Sequence, residues 1–319
     1  MVYILFVVGF VILVKGADIM VEGASSLAKR YNISDFIIGL TIVSIGTSMP
    51  ELLVNIMAGI QGKSEIGVGN VLGSNIANIL LVLGLSACVN SLPIKKNTLF
   101  IEIPFSLTAT LLVGYLANVA IFSDHKNGLM LDLGEGIVLL FFFALFLGYI
   151  YNYAREKKDD IIEGSIVTQP VVKSIAFIVL GVLGLFFGGK WVVDGAIELS
   201  KMFGFSESFI GLTLVALGTS LPELVTSLVA VSKRKTQLAV GNVIGSNIFN
   251  LLWILGISSI INPIEFETVN NTDVLMIIIS SSLLILSIIV GKRSVITRYE
   301  GVVFLLVYAG YIYHLFLRG

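Results

Sequence analysis

The sequence contains little of what a soluble enzyme or a protein with soft metal ligands requires. It has one cysteine and two histidines in 319 residues, which excludes a disulfide framework and any cluster of His and Cys ligands. Charged residues make up only 13% and hydrophobic residues 56%, with a mean hydropathy of +0.98. Soluble domains carry about 25% charged residues. The composition therefore predicts an all-α protein with several membrane-spanning helices.

Apolar runs recur along the chain and predict ten membrane-spanning helices, because about 20 residues cross a hydrocarbon core of roughly 30 Å. We expect them at about 2–28, 34–60, 66–90, 98–122, 132–154, 172–199, 206–231, 238–261, 272–290 and 297–317. The first run has no basic residues before it and continues past Lys15. It is therefore interpreted as a retained span rather than a signal peptide.

One segment occurs twice, as GLTIVSIGTSMPEL at 39–52 and GLTLVALGTSLPEL at 211–224, with ten of fourteen positions identical at an offset of 172. This agreement indicates an internal duplication. The predicted spans then divide into a first repeat at 1–154 and a second at 172–319, joined by a linker at 155–171. Because each repeat has an odd number of spans, the sequence predicts two inverted five-helix repeats.

The positions of lysine and arginine test this topology independently. With the N-terminus outside, fourteen basic residues fall in inside loops and four fall outside. The inside set is Lys29, Arg30, Lys95, Lys96, Arg155, Lys157, Lys158, Lys173, Lys233, Arg234, Lys235, Lys292, Arg293 and Arg298, and the outside set is Lys63, Lys126, Lys201 and Arg318. The positive-inside rule thus predicts a multi-pass protein of the cell membrane with both termini outside. The linker 155–171 is predicted to be a cytoplasmic, solvated connector rather than a regulatory ion-binding domain.

Each copy of the repeated segment places a proline and a glutamate inside an apolar run. Pro50 and Pro222 have no N–H to donate to the carbonyl four residues earlier, so each should break its helix. A backbone carbonyl left unpaired in hydrocarbon is costly, so such a break is tolerated only where protein, water or an ion satisfies it. The adjacent Glu51 and Glu223 are charges at membrane depth, which by default indicate a functional site.

A second motif follows each break, GNVLGSNIANIL at 69–80 and GNVIGSNIFNLL at 241–252, with nine of twelve positions identical. Residues four apart share one face of a helix, so each copy presents a polar stripe, formed by Asn70, Ser74 and Asn78 and by Asn242, Ser246 and Asn250. We expect the serines and the last asparagine of each stripe to contact ions. Asn75 and Asn247 lie off the stripe and are expected to connect helices.

Helical spacing also groups oxygen donors within the broken segments. One face carries Ser44, Thr47, Ser48 and Glu51, and the other copy carries Ala216, Thr219, Ser220 and Glu223. Such oxygen ligands suit a hard cation, either Na⁺ or Ca²⁺ with its six to eight oxygens at about 2.3–2.6 Å. Softer metals prefer His or Cys. The sequence therefore predicts a shared site for hard cations between the repeats.

The two motifs together resemble the paired α-repeats of the sodium/calcium exchanger family, within the cation/calcium antiporter superfamily. The resemblance rests on GTSMPE and GTSLPE, each followed by a GNxxGSN segment, and it covers both halves of the chain. It implies a ten-helix fold with broken helices at the ion site. It also implies Ca²⁺ and Na⁺ as transported ions, with no cofactor, no nucleic acid and no obligate protein partner besides the lipid bilayer.

The resemblance further implies a role for each matching oxygen. Glu51 and Glu223 would be shared by Ca²⁺ and Na⁺. The other implied ligands are Thr47 and Thr219 through backbone and hydroxyl oxygens, Ser48, Ser74, Ser220 and Ser246 at outer Na⁺ positions, Ser44 and Ala216 through carbonyls, and Asn78 and Asn250 at the centre.

Two departures from other branches favour coupling to Na⁺. Relatives with Asp at the position of Asn250, including potassium-dependent exchangers, have a third central acid that this chain lacks. Proton/calcium relatives usually show GNxxE, whereas Gly73 and Gly245 stand at that position here. A K⁺-dependent or H⁺/Ca²⁺ antiporter remains the alternative. A passive channel would be expected to use a ring of acids from identical subunits, and an intramembrane enzyme would need a nucleophile with a suitable base.

The expected mechanism follows from charge. Two ionised glutamates carry −2, so one Ca²⁺ neutralises them and Na⁺ must compete for the same oxygens, which produces antiport. A further Na⁺ at the outer positions would make exchange electrogenic. The long, glycine-rich first and sixth spans are expected to move. Asp18 and Glu22 on the first span are expected either to line an access path or to pair with Lys15.

Overall fold

The computed structural model describes residues 2–62, 64–118, 129–156, 169–202, 216–290 and 294–318, and these are almost entirely helical. The helices are α1 (Val2–Arg30), α2 (Asp35–Thr47), α3 (Met49–Ile60), α4 (Ile66–Val89), α5 (Thr98–Ala117), α6 (Leu133–Glu156), α7 (Val171–Met202), α8 (Ala216–Thr219), α9 (Leu221–Ser232), α10 (Thr236–Ile261), α11 (Asn270–Val290) and α12 (Arg298–Arg318). Four two-residue strands complete the fold, namely β1 (Leu92–Pro93), β2 (Met130–Leu131), β3 (Ile264–Glu265) and β4 (Val295–Ile296).

The described helices account for most of the predicted membrane crossings. Eight of them are long and apolar enough to span a bilayer, and α2 with α3, bent by 42°, would make a ninth. The span predicted at 206–231 falls partly on residues 203–215, which lie outside the described residues, and α9 forms its second part. The multi-pass membrane architecture is therefore confirmed, whereas ten crossings and the inversion of the repeats stay predictions.

Helices α1 and α7, the predicted first and sixth spans, pack along each other. A Cβ on Gly16 would lie 2.9 Å from the Gly181 carbonyl oxygen, and one on Gly181 would lie 2.8 Å from the Gly16 oxygen. Only glycine allows two helix backbones to approach so closely. The glycines of these two spans thus serve their mutual contact, and α1 in addition contacts α9.

The short strands pair the first half of the chain with the second half at two places. β1 pairs antiparallel with β4, placing Leu92 opposite Ile296, and β2 pairs antiparallel with β3, placing Leu131 opposite Ile264. β1 and β3 are separated by the repeat offset of 172 residues. The first pairing joins residues 92–93 to residues 295–296, which lie in loops predicted inside, and the second joins two loops predicted outside. Both pairings are compatible with the predicted topology.

Helices α4 and α10, which carry the GNxxGSN motifs, form the centre of the protein. Their most apolar windows are 78% buried, against 22–39% for the other single-helix spans. Contact with α2 is close, since a Cβ on Gly245 of α10 would lie 2.5 Å from the Leu40 carbonyl oxygen. The repeat is not symmetrical here, since a Cβ on the equivalent Gly73 of α4 would have no described atom within 4 Å. Both motif helices therefore face the interior rather than lipid.

Candidate cation site

The predicted helix breaks lie beside the repeated prolines. α2 ends at Thr47 and α3 begins at Met49, with Ser48 between them at φ −85° and ψ 6°. Ser220 precedes α9 with nearly the same dihedral angles, −84° and 0°. The break places Glu51 and Glu223 in the first turns of α3 and α9. Unpaired N–H groups there favour a negative charge, so the local fold positions both carboxylates.

Both carboxylates are fully buried, with 0% exposure. Glu223 Oε1 accepts hydrogen bonds from Ser48 Oγ at 2.9 Å and from Ser246 Oγ at 3.3 Å, so residues of both repeats hold it. Within the described part of the chain, Glu223 Oε2 and both Glu51 oxygens have no hydrogen-bond partner. A buried carboxylate without partners is strongly disfavoured unless an opposite charge compensates it. These three oxygens are therefore suited to bind a cation.

The two motif threonines each donate a hydrogen bond to an asparagine of the other repeat. Thr47 Oγ1 donates to Asn242 Oδ1 at 3.1 Å, and Thr219 Oγ1 donates to Asn70 Oδ1 at 2.8 Å. Because each hydroxyl proton is directed to an amide oxygen, the lone pairs of the hydroxyl oxygen remain available to a cation.

The central asparagines stand at irregular turns of α4 and α10. A π-helical turn covers Asn78–Val82 in α4 and another covers Phe249–Ile254 in α10, and such turns occur frequently at functional sites. Asn78 Nδ2 donates to Asn247 Oδ1 at 3.0 Å, and Asn250 Nδ2 donates to Asn75 Oδ1 at 3.2 Å. The Oδ1 atoms of Asn78 and Asn250 are buried and have no partner among the described residues.

The serines predicted as ligands differ in their surroundings. Ser74 Oγ lies 3.5 Å from Thr219 Oγ1, and Ser220 Oγ is buried with no partner in the ranges described above. The Ser44 carbonyl accepts from Ser48 N at 3.0 Å. Thr47 Oγ1 also lies 3.3 Å from it, but its single proton is directed to the nearer Asn242 Oδ1 at 3.1 Å, so one lone pair of the carbonyl remains for a cation.

Ala216 was the remaining predicted ligand, through its carbonyl oxygen. It is the first residue of α8, which leads to the second break. Its side chain lies outside the described residues. Its role stays a prediction.

The unpartnered atoms form a consistent set of acceptors. Six buried oxygens of the predicted ligands have no partner within the described ranges, namely both oxygens of Glu51, Glu223 Oε2, Asn78 Oδ1, Asn250 Oδ1 and Ser220 Oγ. Helix α3, which carries Glu51, contacts the π-helical turn of α10, and α9, which carries Glu223, contacts that of α4. Six oxygens with two carboxylates match the coordination that Ca²⁺ prefers.

A cavity of about 470 Å³ lies beside the two helix breaks, on one face of the protein. Gln61 lies at that face, and Thr219, Pro50 and Pro222 line the cavity near the glutamates. Lys190 and Asp194 of α7 line its wall.

The opposite face is closed at the equivalent positions. Lys233, which corresponds to Gln61, forms an ion pair of 2.5 Å with Asp18 on α1. Leu13, Ala17 and Ala230, the repeat equivalents of the cavity-lining Leu185, Gly189 and Ala58, are fully buried. Asp18 was expected to line an access path or to pair with Lys15, and the structure pairs it with Lys233 instead, because α9 ends against α1. The cavity thus approaches the site from one face only as far as Thr219 and the two prolines, and both glutamates remain fully buried.

Sequence reasoning missed several residues that hold the ligands in place. Asn70 and Asn242 belong to the predicted stripes, but their contact with the threonines depends on how the repeats pack. Asn55 Nδ2 donates to the Glu51 carbonyl oxygen at 2.9 Å. The spacing of the stripes could have pointed to the first two, whereas no sequence pattern marks Asn55.

Comparison with known proteins decides the family. The model of the sodium/calcium exchanger protein family matches residues 1–152 and 173–317. The chain belongs to the sodium/calcium exchanger family. It is therefore a membrane cation antiporter and not an enzyme, as the motifs predicted, and the intramembrane enzyme is excluded.

Individual relatives align over nearly the whole chain. The protein CaxA of Alkalimonas amylolytica is 39% identical over 98% of both chains, and the sodium/calcium exchanger MaX1 of Methanosarcina acetivorans is 33% identical over 98% of both. Among solved structures, the sodium-calcium exchanger NCX_Mj soaked with zero Na⁺ and Ca²⁺ superposes with a TM-score of 0.82, at 32% identity and 98% coverage of each chain.

Proposed function

We propose that this protein exchanges Na⁺ for Ca²⁺ across the cell membrane by alternating access, and that it is an electrogenic Ca²⁺ extruder. The observation that carries the proposal is the pair of fully buried glutamates at facing helix breaks. Three of their four carboxylate oxygens have no hydrogen-bond partner within the described residues. A hard cation supplies the missing compensation.

Competition for the same carboxylates explains coupling. Glu51 and Glu223 together carry −2 when ionised, so one Ca²⁺ or two Na⁺ neutralise them, and the two kinds of ion repel each other when bound together. Without a bound cation, two ionised glutamates are strongly disfavoured in the low-dielectric surroundings of the site while access changes from one side to the other. With Ca²⁺ or Na⁺ bound, the site is neutral and this cost disappears. Exchange is therefore favoured over leak of a single ion.

Further oxygens complete the proposed ion positions. Thr47 and Thr219 contribute backbone and hydroxyl oxygens, and Asn78 and Asn250 complete the centre. The proposed outer Na⁺ positions use Ser48, Ser74, Ser220 and Ser246, with the carbonyls of Ser44 and Ala216. All of these side chains that the structure describes are buried, which supports a site inside the membrane.

The open and closed faces support alternating access. The cavity beside Thr219 and Pro50 approaches the site from the Gln61 face, while the Asp18–Lys233 pair lies at the equivalent place opposite. A movement of the packed pair α1 and α7 relative to the motif helices would exchange these two arrangements.

The topology we propose has a first repeat at 1–154, a linker at 155–171 and a second, inverted repeat at 172–319. Both termini lie outside and the linker lies in the cytoplasm. The reciprocal pairing of β1 with β4 and of β2 with β3 supports the two-fold relation of the repeats. The family match, which is interrupted between 152 and 173, supports the boundaries.

Ca²⁺ flux in proteoliposomes tests the proposal. Purified protein is reconstituted with Ca²⁺ inside, and an outward-to-inward Na⁺ gradient is imposed, reversed or abolished with a Na⁺ ionophore. We expect Ca²⁺ movement to reverse with the Na⁺ gradient and to need no K⁺. Flux that ignores the direction of the Na⁺ gradient would indicate a channel, and flux driven by a pH gradient alone would indicate a Ca²⁺/H⁺ antiporter, the activity named for a Bacillus subtilis relative at 24% identity.

A further inference from the structure

Four asparagines form one hydrogen-bonded network where α4 meets α10, in the order Asn78, Asn247, Asn75, Asn250. Asn75 and Asn78 belong to α4, and Asn247 and Asn250 belong to α10. All four side chains are at most 2% exposed. Asn75 and Asn247 are off the predicted ion-binding stripes, and helix-to-helix contact was the only role expected of them.

Backbone carbonyl groups fix the orientation of the amides of Asn75 and Asn247, which we call the inner pair. Asn75 Nδ2 donates to the Asn247 carbonyl oxygen at 3.4 Å, and Asn247 Nδ2 donates to the Asn75 carbonyl oxygen at 3.4 Å. A backbone carbonyl can only accept, so the NH₂ group of each amide must face it. The side-chain oxygens of Asn75 and Asn247 consequently point the other way.

These two oxygens in turn fix the orientation of the outer amides. Asn247 Oδ1 accepts from Asn78 Nδ2 at 3.0 Å, and Asn75 Oδ1 accepts from Asn250 Nδ2 at 3.2 Å. Because their NH₂ groups donate to Asn247 and Asn75, Asn78 and Asn250 must direct their own side-chain oxygens away from these two residues. Those oxygens are buried atoms without a partner among the described residues, and the turns that carry them contact α9 and α3, the helices of Glu223 and Glu51.

We propose that Asn75 and Asn247 are positioning residues that compel Asn78 and Asn250 to present oxygen, and never NH₂, to the cation. The inference rests on the proposed function, since it concerns the same site. An unconstrained amide can rotate by half a turn at little cost and offer two donors to the ion. The network removes that alternative in both repeats. Asn247 fixes the orientation of the Asn78 amide, and Asn75 fixes that of the Asn250 amide.

The test is a double-mutant cycle in which the measured quantity is the affinity for Ca²⁺. The purified protein is titrated with Ca²⁺ in Na⁺-free detergent solution, and binding is followed by calorimetry. Asn75→Leu removes the acceptor that holds the Asn250 amide, so we expect Ca²⁺ binding to weaken about tenfold to a hundredfold, the loss typical of one charge-assisted contact. In the Asn250→Asp background the same substitution should leave affinity unchanged or raise it. A carboxylate presents an acceptor from either oxygen, and its repulsion by Asn75 Oδ1 is removed.

Asn118→Leu serves as a matched control. Asn118 and Asn271 exchange two amide hydrogen bonds between α5 and α11, at 2.8 and 2.9 Å, away from the motifs. Its loss should lower thermal stability without changing Ca²⁺ affinity. The mirrored cycle, Asn247→Leu with Asn78→Asp, gives the same reading if Asn75→Leu does not fold.

Equal loss of affinity in the Asn and Asp backgrounds, or no loss in either, would overturn the positioning role. Either result would leave the exchanger proposal intact as long as the unmodified protein binds Ca²⁺. Failure of the unmodified protein to bind Ca²⁺ would instead refute the proposed cation site itself, so the two failures are distinguishable.

Discussion

Lys233, directly after α9, makes two contacts with Asp18 in the middle of α1. Its Nζ lies 2.5 Å from Asp18 Oδ1 and donates to the Asp18 carbonyl oxygen at 3.3 Å. The pair joins the glycine-rich α1 to the helix that carries Glu223. At the equivalent place in the other repeat, Gln61 and Lys190 line the open cavity. The structure is therefore closed at the Asp18–Lys233 pair and has a cavity at the equivalent residues, Lys190 and Gln61.

The first prediction is that Lys233→Gln shifts the protein towards the conformation open at the Lys233 face. Both side chains are about one-third exposed, at 34% and 37%. Such a pair is worth about 1 kcal/mol at most, so the equilibrium should shift by up to about fivefold. The measurement compares labelling rates of Leu53→Cys, in the cavity wall, and Val225→Cys, its repeat equivalent, with an impermeant thiol reagent after Cys88→Ser.

Lys233→Gln should raise the rate at Val225→Cys relative to Leu53→Cys. Lys235→Gln, which removes the same charge two residues further on, is the control and should leave the ratio of rates unchanged. An equal ratio in Lys233→Gln and the unmodified protein would show that the ion pair does not hold the closed face.

The second prediction concerns the carboxylates. Glu51→Gln and Glu223→Gln should each abolish Na⁺-dependent Ca²⁺ flux while the protein remains folded. Glutamine keeps the shape and lowers the cost of burial, but the single remaining carboxylate cannot balance a dehydrated divalent ion. Flux is measured in proteoliposomes, and folding is checked by size-exclusion elution and thermal unfolding.

Glu102→Gln provides the matched control for these variants. Glu102 is also fully buried, but Tyr149 Oη donates to it at 2.6 Å and it lies outside both motifs. We expect this variant to retain Ca²⁺ flux. Near-normal flux in folded Glu51→Gln or Glu223→Gln would contradict the assignment of the site.

The third prediction is that exchange responds to membrane voltage. The centre is about neutral with one Ca²⁺ or with two Na⁺, and the outer serine positions leave room for one more Na⁺. Each extra charge moved is worth about 2.3 kcal/mol per 100 mV, so a negative interior should accelerate Na⁺ entry coupled to Ca²⁺ extrusion. Flux is measured in vesicles clamped at several K⁺ potentials with valinomycin, and K⁺-free vesicles serve as the control. Flux indifferent to voltage would indicate two Na⁺ per Ca²⁺.

The fourth prediction is that Gly245→Ala destabilises the protein. The added Cβ would lie 2.5 Å from both the Leu40 carbonyl oxygen and Ser44 Oγ, so α2 or α10 must shift. Overpacking of this kind costs about 1–3 kcal/mol. Thermal unfolding should show a lower midpoint for Gly245→Ala than for Gly148→Ala, whose added Cβ meets no described atom within 4 Å. Equal midpoints would mean that the helices separate freely at this position.

The sequence was sufficient for the features that depend on local chemistry and on repetition. Long apolar runs indicated a membrane protein, because only such runs match the thickness of a bilayer. The helix breaks beside Pro50 and Pro222 followed from the missing N–H of proline, and the near-identical repetition of both motifs marked Glu51 and Glu223 as equivalent positions. The family followed from the same two motifs.

Only the tertiary structure decided which groups meet. Ser48 was predicted as a ligand, yet its bond to Glu223 spans 175 residues of sequence. The network of four asparagines arises because α4 and α10 meet at that point, and periodicity within one helix cannot show which amide contacts another helix.

The difference between the two faces was likewise beyond the sequence. The two motif copies are nearly identical, so the motifs by themselves do not show in what way the surroundings of the two copies differ. One polypeptide conformation nevertheless closes the Asp18–Lys233 side while a cavity remains at Pro50 and Thr219. The sequence determined which residues are candidate ligands, because residue types and their spacing mark them. The packing of α1 and α7 against the broken helices α2 and α9 decided where the cavity lies, because that packing joins segments far apart in the sequence.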